Sequence, residues 1–338
     1  MRSSSGHMKS TFLALTAGTL VLGAGTVSGQ IAPSAAIQQA ETFQRNQEAA
    51  RPRFRVNVVP NLYEGEQADV GPQYVVVPKQ KPQWIELSLD SQLMYTSNVF
   101  LTEKGTVDST LAVHTLLAGI APTPWDVPGG KLQVRAGYRH QFFQYGLLTS
   151  HPELVNNIDF DVSTVYTQAR YQFLANWVAT VGVDYNRLLS PDQDRGEFYV
   201  EVLPNWALER AIQINQDSLL TLGYSGNYHF TRADQEPKDI NNRTDHTLSL
   251  IYSYKLWDKL VLQPYYRLMY TRYEENQLQT GPRQEWLNSA GLSLTYYFTE
   301  WASIRTFINY DKRTSDDPTV QDYHKWDTGG GVSVYLRF

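Results

Sequence analysis

The chain has 338 residues, no cysteine, a formal net charge of -5, and 42% hydrophobic against 19% charged residues. Together these exclude disulfides, thiolate metal sites, thiol catalysis and a lipidated-cysteine anchor, and the acidic balance argues against nucleic acid as a partner. Mean hydropathy is -0.41, and beyond the N-terminal region no apolar run reaches about 18 residues, which excludes a helical membrane protein but not a β-barrel, whose lipid-facing residues alternate with polar ones.

Residues 1–7 precede a second methionine, Met8, and read as a tag-like start outside the fold. Met8 and Lys9 open an apolar stretch from Phe12 to Gly25 that runs into the small residues Val27, Ser28 and Gly29. That order predicts a secretory signal peptide with a mature start near Gln30, in preference to a single membrane anchor, because the run is short and rich in Gly, Ala and Thr. Residues 30–83 are rich in Gln, Ala, Pro and Arg. A helix is expected over 34–50, after which Pro52, Pro60, Pro72, Pro78 and Pro82 interrupt regular structure. The segment reads as an irregular periplasmic extension, either loosely ordered or tucked into the barrel mouth. The expected division is therefore 1–29, 30–83 and 84–338.

From Trp84 the pattern changes to strand-like segments at 84–100, 109–121, 131–145, 159–173, 177–189, 197–214, 218–233, 243–256, 260–274, 284–298, 301–312 and 323–338, twelve in all. Their connections sort by parity. Tight ones such as Leu174-Ala175-Asn176, Trp257-Asp258-Lys259 and Thr299-Glu300 alternate with longer polar ones at 190–196, 234–242, 275–283 and 313–322. Short turns at one end and long loops at the other is the arrangement of an outer-membrane barrel, with both termini in the periplasm; residues 122–130 are a long connection on the short-turn side. Leu220, Leu222, Tyr224, Tyr228 and Phe230, then Leu248, Leu250, Tyr252, Tyr254 and Leu256, then Ala290, Leu292, Leu294, Tyr296 and Phe298 form outward sets, with polar or small partners between them. Trp177, Trp257 and Trp301 at the tight turns predict an interfacial aromatic belt. Pro204, Pro264 and the Gly329-Gly330-Gly331 run are expected to mark bulges or bends.

The last strand alternates Val332, Val334, Leu336 and Phe338 with polar residues and ends on the aromatic ring. It resembles the C-terminal assembly signal of bacterial outer-membrane barrels, carried here by Val334, Leu336 and Phe338, and implies the barrel assembly machinery as a partner. The fold expected is all-β: a closed antiparallel transmembrane barrel of about twelve strands.

Twelve strands tilted by about 40° at about 4.8 Å spacing imply a backbone cylinder about 24 Å across. The charges expected to face its lumen are Glu86, Asp90, Arg135, Arg139, Arg170, Asp184, Glu201, Lys255, Arg267, Arg305 and Asp311, with Glu209 and Arg337 beside them. Both signs occur, which predicts ion-paired ladders around a wet interior; Arg135 and Arg139 could begin a track for acidic solutes. No catalytic residue, cofactor site or metal site is assigned. His140 is expected to face lipid near the outer rim, but its same-strand neighbours Tyr138 and Phe142 supply no nucleophile, and a serine from an adjacent strand cannot be placed from sequence.

Tyr95-Thr96-Ser97-Asn98-Val99-Phe100-Leu101-Thr102, together with Asp69-Val70-Gly71-Pro72-Gln73, resembles segments of the BBP2-like outer-membrane β-barrel porins. The resemblance implies a porin-like or export-associated barrel and supplies no functional residues. The expected function is a bacterial outer-membrane channel for passive diffusion of small hydrophilic solutes and not an enzyme. One alternative is a structural or polysaccharide-export-associated barrel with a plugged lumen, and a second is an outer-membrane lipid hydrolase testable at His140. The partners expected are outer-membrane lipids and small solutes, with a second copy or a periplasmic protein as further candidates.

Overall fold

A computed structural model describes Ile37 and residues 84–338 apart from 156–157, 175, 191–195, 234–240, 275–281 and 319. The expected signal peptide, the helix at 34–50 apart from Ile37, and the Asp69–Gln73 motif lie outside the described residues. The strands are β1 (Ile85–Thr96), β2 (Ser109–Ile120), β3 (Trp125–Val127), β4 (Gly130–Tyr145), β5 (Phe160–Phe173), β6 (Trp177–Leu189), β7 (Glu197–Asn215), β8 (Ser218–Ala233), β9 (Arg243–Trp257), β10 (Leu260–Tyr273), β11 (Gln284–Tyr297), β12 (Ala302–Ser315) and β13 (Tyr323–Arg337), with one helical turn, α1 (Pro152–Val155), after β4. Each barrel strand pairs antiparallel with its neighbours, β2 pairs with β4, and β1 pairs with β13, so twelve strands close on themselves. The thirteenth, β3, is a three-residue hairpin arm on β4. It gives the long connection expected at 122–130 a short strand of its own.

The barrel is inside out relative to a soluble sheet. On β9, Leu248, Leu250, Tyr254 and Leu256 are exposed while Arg243, Asp245 and Ser253 are buried. On β11 and β12, Leu292, Tyr296, Ile304 and Ile308 are exposed against buried Ser289, Thr295, Arg305 and Asp311. Burying the polar parity and exposing the apolar one is unfavourable in water. In hydrocarbon it is the arrangement that removes every backbone edge and places apolar side chains against lipid. The outward face carries two aromatic girdles. One contains Trp84, Trp125, Trp177, Trp257, Trp301 and Phe298 at the short-turn end. The other contains the pairs Tyr270–Trp286 and Tyr310–Trp326, each with ring centroids 4.8 Å apart, at the long-loop end. The tryptophans beside the tight turns anticipated the first girdle and not the second.

Three expected bulges are absent. Across Pro204 the β7–β8 register is the same on both sides, from Val202↔Phe230 to Asn205↔Asn227. Across Pro264, Leu262↔Tyr254 continues in step to Tyr265↔Ile251. A strand residue uses its N–H toward one neighbour only, so each proline interrupts one ladder and leaves the other intact. Register shifts fall instead beside turns, at Leu188/Leu189, Gln213/Asn215 and Leu260/Val261. The glycine run is also in register, Met94↔Gly329 to Gln92↔Gly331. Its role is close approach at the seam, where a Cβ on Gly329 would lie 2.4 Å from the Leu93 carbonyl oxygen and 2.7 Å from Met94. The seam is tied at its other end by Ile85 and Phe338, which exchange backbone hydrogen bonds of 3.0 and 2.9 Å. Gly329→Val is therefore expected to destabilise the barrel by about 1–3 kcal/mol through overpacking, seen as a lower urea midpoint of the heat-modifiable folded band.

Candidate functional site: the lumen

The first long loop, 97–108, folds into the outer mouth. Asn98 donates from Nδ2 to the Thr102 carbonyl at 2.7 Å and to the His324 carbonyl at 3.3 Å, while its Oδ1 accepts from the Thr102 N–H at 3.1 Å. This turn holds Leu101 at φ 56°, a left-handed conformation uncommon for a branched side chain. Leu101 thereby packs on the inward-facing Leu287 and Tyr323, with Met269 beside them. Val99 and Val107 pack on Val155 of α1, so the helical turn braces the infolded loop. Asp159 anchors the far end by accepting from the Tyr145 N–H at 2.8 Å; burial raises its carboxyl pKa.

Behind the loop, one wall of the lumen is an ionic lattice. His229 lies with Nδ1 2.8 Å from Glu201 and Nε2 3.0 Å from Asp245. Asn186 donates to Glu201 at 2.7 Å and is held by Thr164 at 2.7 Å. Arg243 pairs with Asp245 at 3.6 Å. Arg243 and Arg283 lie over the Tyr273 ring at 5.7 and 3.6 Å. Arg283 and Arg313 reach Glu285 at 2.9 and 3.6 Å, and Arg313 lies 4.6 Å over Tyr323. Lys325 bridges Asp327 at 2.9 Å and Asp311 at 3.7 Å. Each charge is buried beside its opposite, and aromatic faces take up part of the cation field.

The facing wall is apolar. Met94, Leu111, Val113, Phe143, Phe160, Val162, Leu188 and Tyr199 form a buried cluster that also takes in Ile251, Tyr265 and Phe307 from the opposite side, and Ile37. Side chains of about 6 Å projecting from a cylinder about 24 Å across leave a gap between opposite walls. Ile37, helical and 7% exposed, belongs to the cluster that spans it.

From mid-barrel to the short-turn end the lumen is half-buried. Arg170, Asp184, Glu209 and Arg267 lie on the interior parity among Thr180, Thr221, Ser225 and Ser249, and Arg139 lies on the same parity nearer the long-loop end. Asn205 donates to Asp184 at 3.3 Å and Arg267 to Ser289 at 3.1 Å. Two tight ion pairs flank this region. Arg305 grips both oxygens of Asp90, at 3.0 and 3.1 Å. Arg135 donates to Glu86 at 2.6 Å, Tyr335 donates to the other Glu86 oxygen at 2.7 Å, and Arg337 stands 3.8 Å away. Of the charges expected in the lumen, Glu86 with Arg135 and Asp90 with Arg305 are brought together directly. Glu201 and Asp311 join the lattice. Lys255 lies at the short-turn rim on Asp217 and Asp258, at 3.2 and 3.6 Å. Residues that the sequence did not single out are His229, Arg243, Asp245, Arg283, Glu285, Arg313, Lys325 and Asp327. The parity of β9 and β13 would have found half of them, since Arg243 and Asp245 share a face with Lys255, and Lys325 and Asp327 with Arg337.

On the outside, the register sets His140 opposite Ser163. His140 Nδ1 lies 2.9 Å from Ser163 Oγ, Tyr138 Oη is 3.0 Å from the same nitrogen and 3.1 Å from Ser163 Oγ, and His140 Nε2 is 4.0 Å from Asp161. A second pair, Ser91 with His114 at 2.9 Å, lies elsewhere on the outer face.

No family model matches the sequence, and no curated protein matches it. Among solved structures the chain is similar to an outer-membrane channel from Pseudomonas putida F1, at 11% identity and TM-score 0.49 over 78% of this chain and 100% of that one. It is similar to the transport unit of the autotransporter AIDA-I from Escherichia coli at 9% identity and TM-score 0.47, over 79% and 94%. It is also similar to the KdgM porin in complex with oligogalacturonate, at 11% identity and TM-score 0.37 over 73% and 98%.

Proposed function

We propose that this chain is a bacterial outer-membrane channel for small hydrophilic solutes, closed at rest by an apolar contact at Ile37. The observation that carries the reading is the division of faces in a closed twelve-strand cylinder, with leucines and aromatics outward and a wall of paired charges inward. A protein that needed only an anchor in lipid would gain nothing from the thirteen Asp, Glu, Lys and Arg side chains buried among the described residues, which cost desolvation free energy unless each is partnered. A polar interior is the requirement for passing water-soluble cargo. The half-buried charges Arg170 and Glu209 are those a solute would meet first from the periplasm, with Asp184, Arg267 and then Arg139 further along the lumen.

The burial of Ile37 among wall residues favours a resting state in which Ile37 itself closes the apolar part of the lumen. That is also what a structural or export-associated barrel with a plugged lumen would need. Ile37→Asp separates the two. Placing a carboxylate in the apolar cluster should expel it and produce discrete current steps in planar bilayers several-fold more frequent than for the unsubstituted protein. A folded Ile37→Asp barrel that passes no current, tested beside a protein lacking residues 30–83, would overturn the channel and leave the plugged structural barrel.

A further inference from the structure

We infer that the outer face of β4 and β5 carries a serine esterase site directed at acyl esters of membrane lipids, with Ser163 as nucleophile and His140 as its base. The two residues are register partners on adjacent strands, and the Oγ to Nδ1 distance is 2.9 Å. Asp161, two residues before Ser163 on the same face, stands 4.0 Å from the other ring nitrogen, where its charge favours the imidazolium formed during the reaction. Apolar residues flank the group on this face: Leu116 across from His140 on β2, and Val165 next along β5, both exposed. A carboxylate, an imidazole, a hydroxyl and a phenol gathered there are costly to keep in hydrocarbon unless they sit where water and headgroups reach.

Their height meets that condition. Ser163 precedes Phe173 by ten positions on β5, and Phe173 stacks with Trp177 of the short-turn girdle at 6.2 Å. At about 3.3 Å per residue and about 40° of tilt, that is about 25 Å along the barrel axis, the height of the apolar band of such barrels. The group therefore lies at the opposite interface, at the depth of lipid ester carbonyls. Arg187, opposite Ser163 on β6 and paired with Glu197, adds a half-exposed cation suited to a lipid phosphate.

The chemistry closes with these groups and water. Ser163 Oγ bonds to the carbonyl carbon as its proton passes to His140. Tyr138, whose hydroxyl is 3.1 Å from Ser163 Oγ, donates to the oxyanion. Collapse breaks the ester C–O bond, and the departing alcohol takes the proton from His140. Water, deprotonated by His140, then attacks the acyl carbon, releases the fatty acid, and the proton returns to Ser163.

The test uses the full chain, folded by heat-modifiable mobility, in mixed micelles of phosphatidylethanolamine and phosphatidylglycerol. A fluorophosphonate probe is expected to label the protein, Ser163→Ala to abolish labelling, and His140→Ala to slow it at least about 100-fold. Asp161→Asn, a positioning change, should lower kcat for fatty-acid release with KM little altered and shift the pH profile. The pair Ser91→Ala with His114→Ala, which removes the other outward serine–histidine contact, should label as the unsubstituted chain does. Failure of the folded protein to label, labelling that persists in Ser163→Ala, or labelling without fatty-acid release would each overturn the site. None of these outcomes bears on conductance, so the channel stands or falls separately.

Discussion

Replacing Arg305 by methionine is expected to destabilise the barrel by about 3–5 kcal/mol, the cost of leaving one member of a buried ion pair alone. Arg305 and Asp90 expose 2% and 8% of their side chains and meet through two hydrogen bonds, the bidentate geometry in which guanidinium and carboxylate fit best. With Arg305 removed, the side-chain hydrogen bonds left to Asp90 among the described residues are those donated by Gln92, at 2.8 Å, and by Ser333. Two neutral donors do not balance a buried negative charge. The contact spans the seam, because Arg305 on β12 reaches over β13 at Gly331 to meet β1. Its loss should therefore also slow closure of the last strand on the first. The double variant Asp90→Leu with Arg305→Met should recover most of the loss, since it removes both charges. Urea titration in phospholipid vesicles measures both. A single variant as stable as the unsubstituted protein would show that the pair is solvated rather than buried.

Leu250→Arg should cost about 2–4 kcal/mol in vesicles, because Leu250 lies at the middle of β9 on the exposed apolar parity. Thr247→Arg, on the interior parity of the same strand, should cost much less, its guanidinium being among polar groups and water. The contrast depends on what surrounds the outside of the sheet. Were water there, the exposed site would tolerate arginine and the interior site would resist it. Reversal of the order would overturn the reading of the outer face as lipid-facing.

The architecture is legible from alternation because lipid imposes it on every strand at once. Leu220 to Phe230 and Ala290 to Phe298 each obey a period of two that no helix or turn can imitate. Loop parity is legible for a similar reason, since tight turns need few residues and declare themselves by spacing. The prolines and the glycine run suggest bulges that the strands do not contain. Both are locally ambiguous, and the neighbour that a missing N–H faces, or that a missing Cβ would strike, belongs to another strand.

Period and composition, being properties of single strands, already dictate a closed barrel with an apolar exterior, a charged interior and long loops at one end. Which charges pair, that loop 97–108 turns Leu101 into the mouth, that Ile37 lies among wall residues of the lumen, and that Ser163 meets His140 follow from how the strands come together in space. Each of these joins residues whose separation in space is set by register and closure, and register is the cumulative result of every strand pairing around the ring.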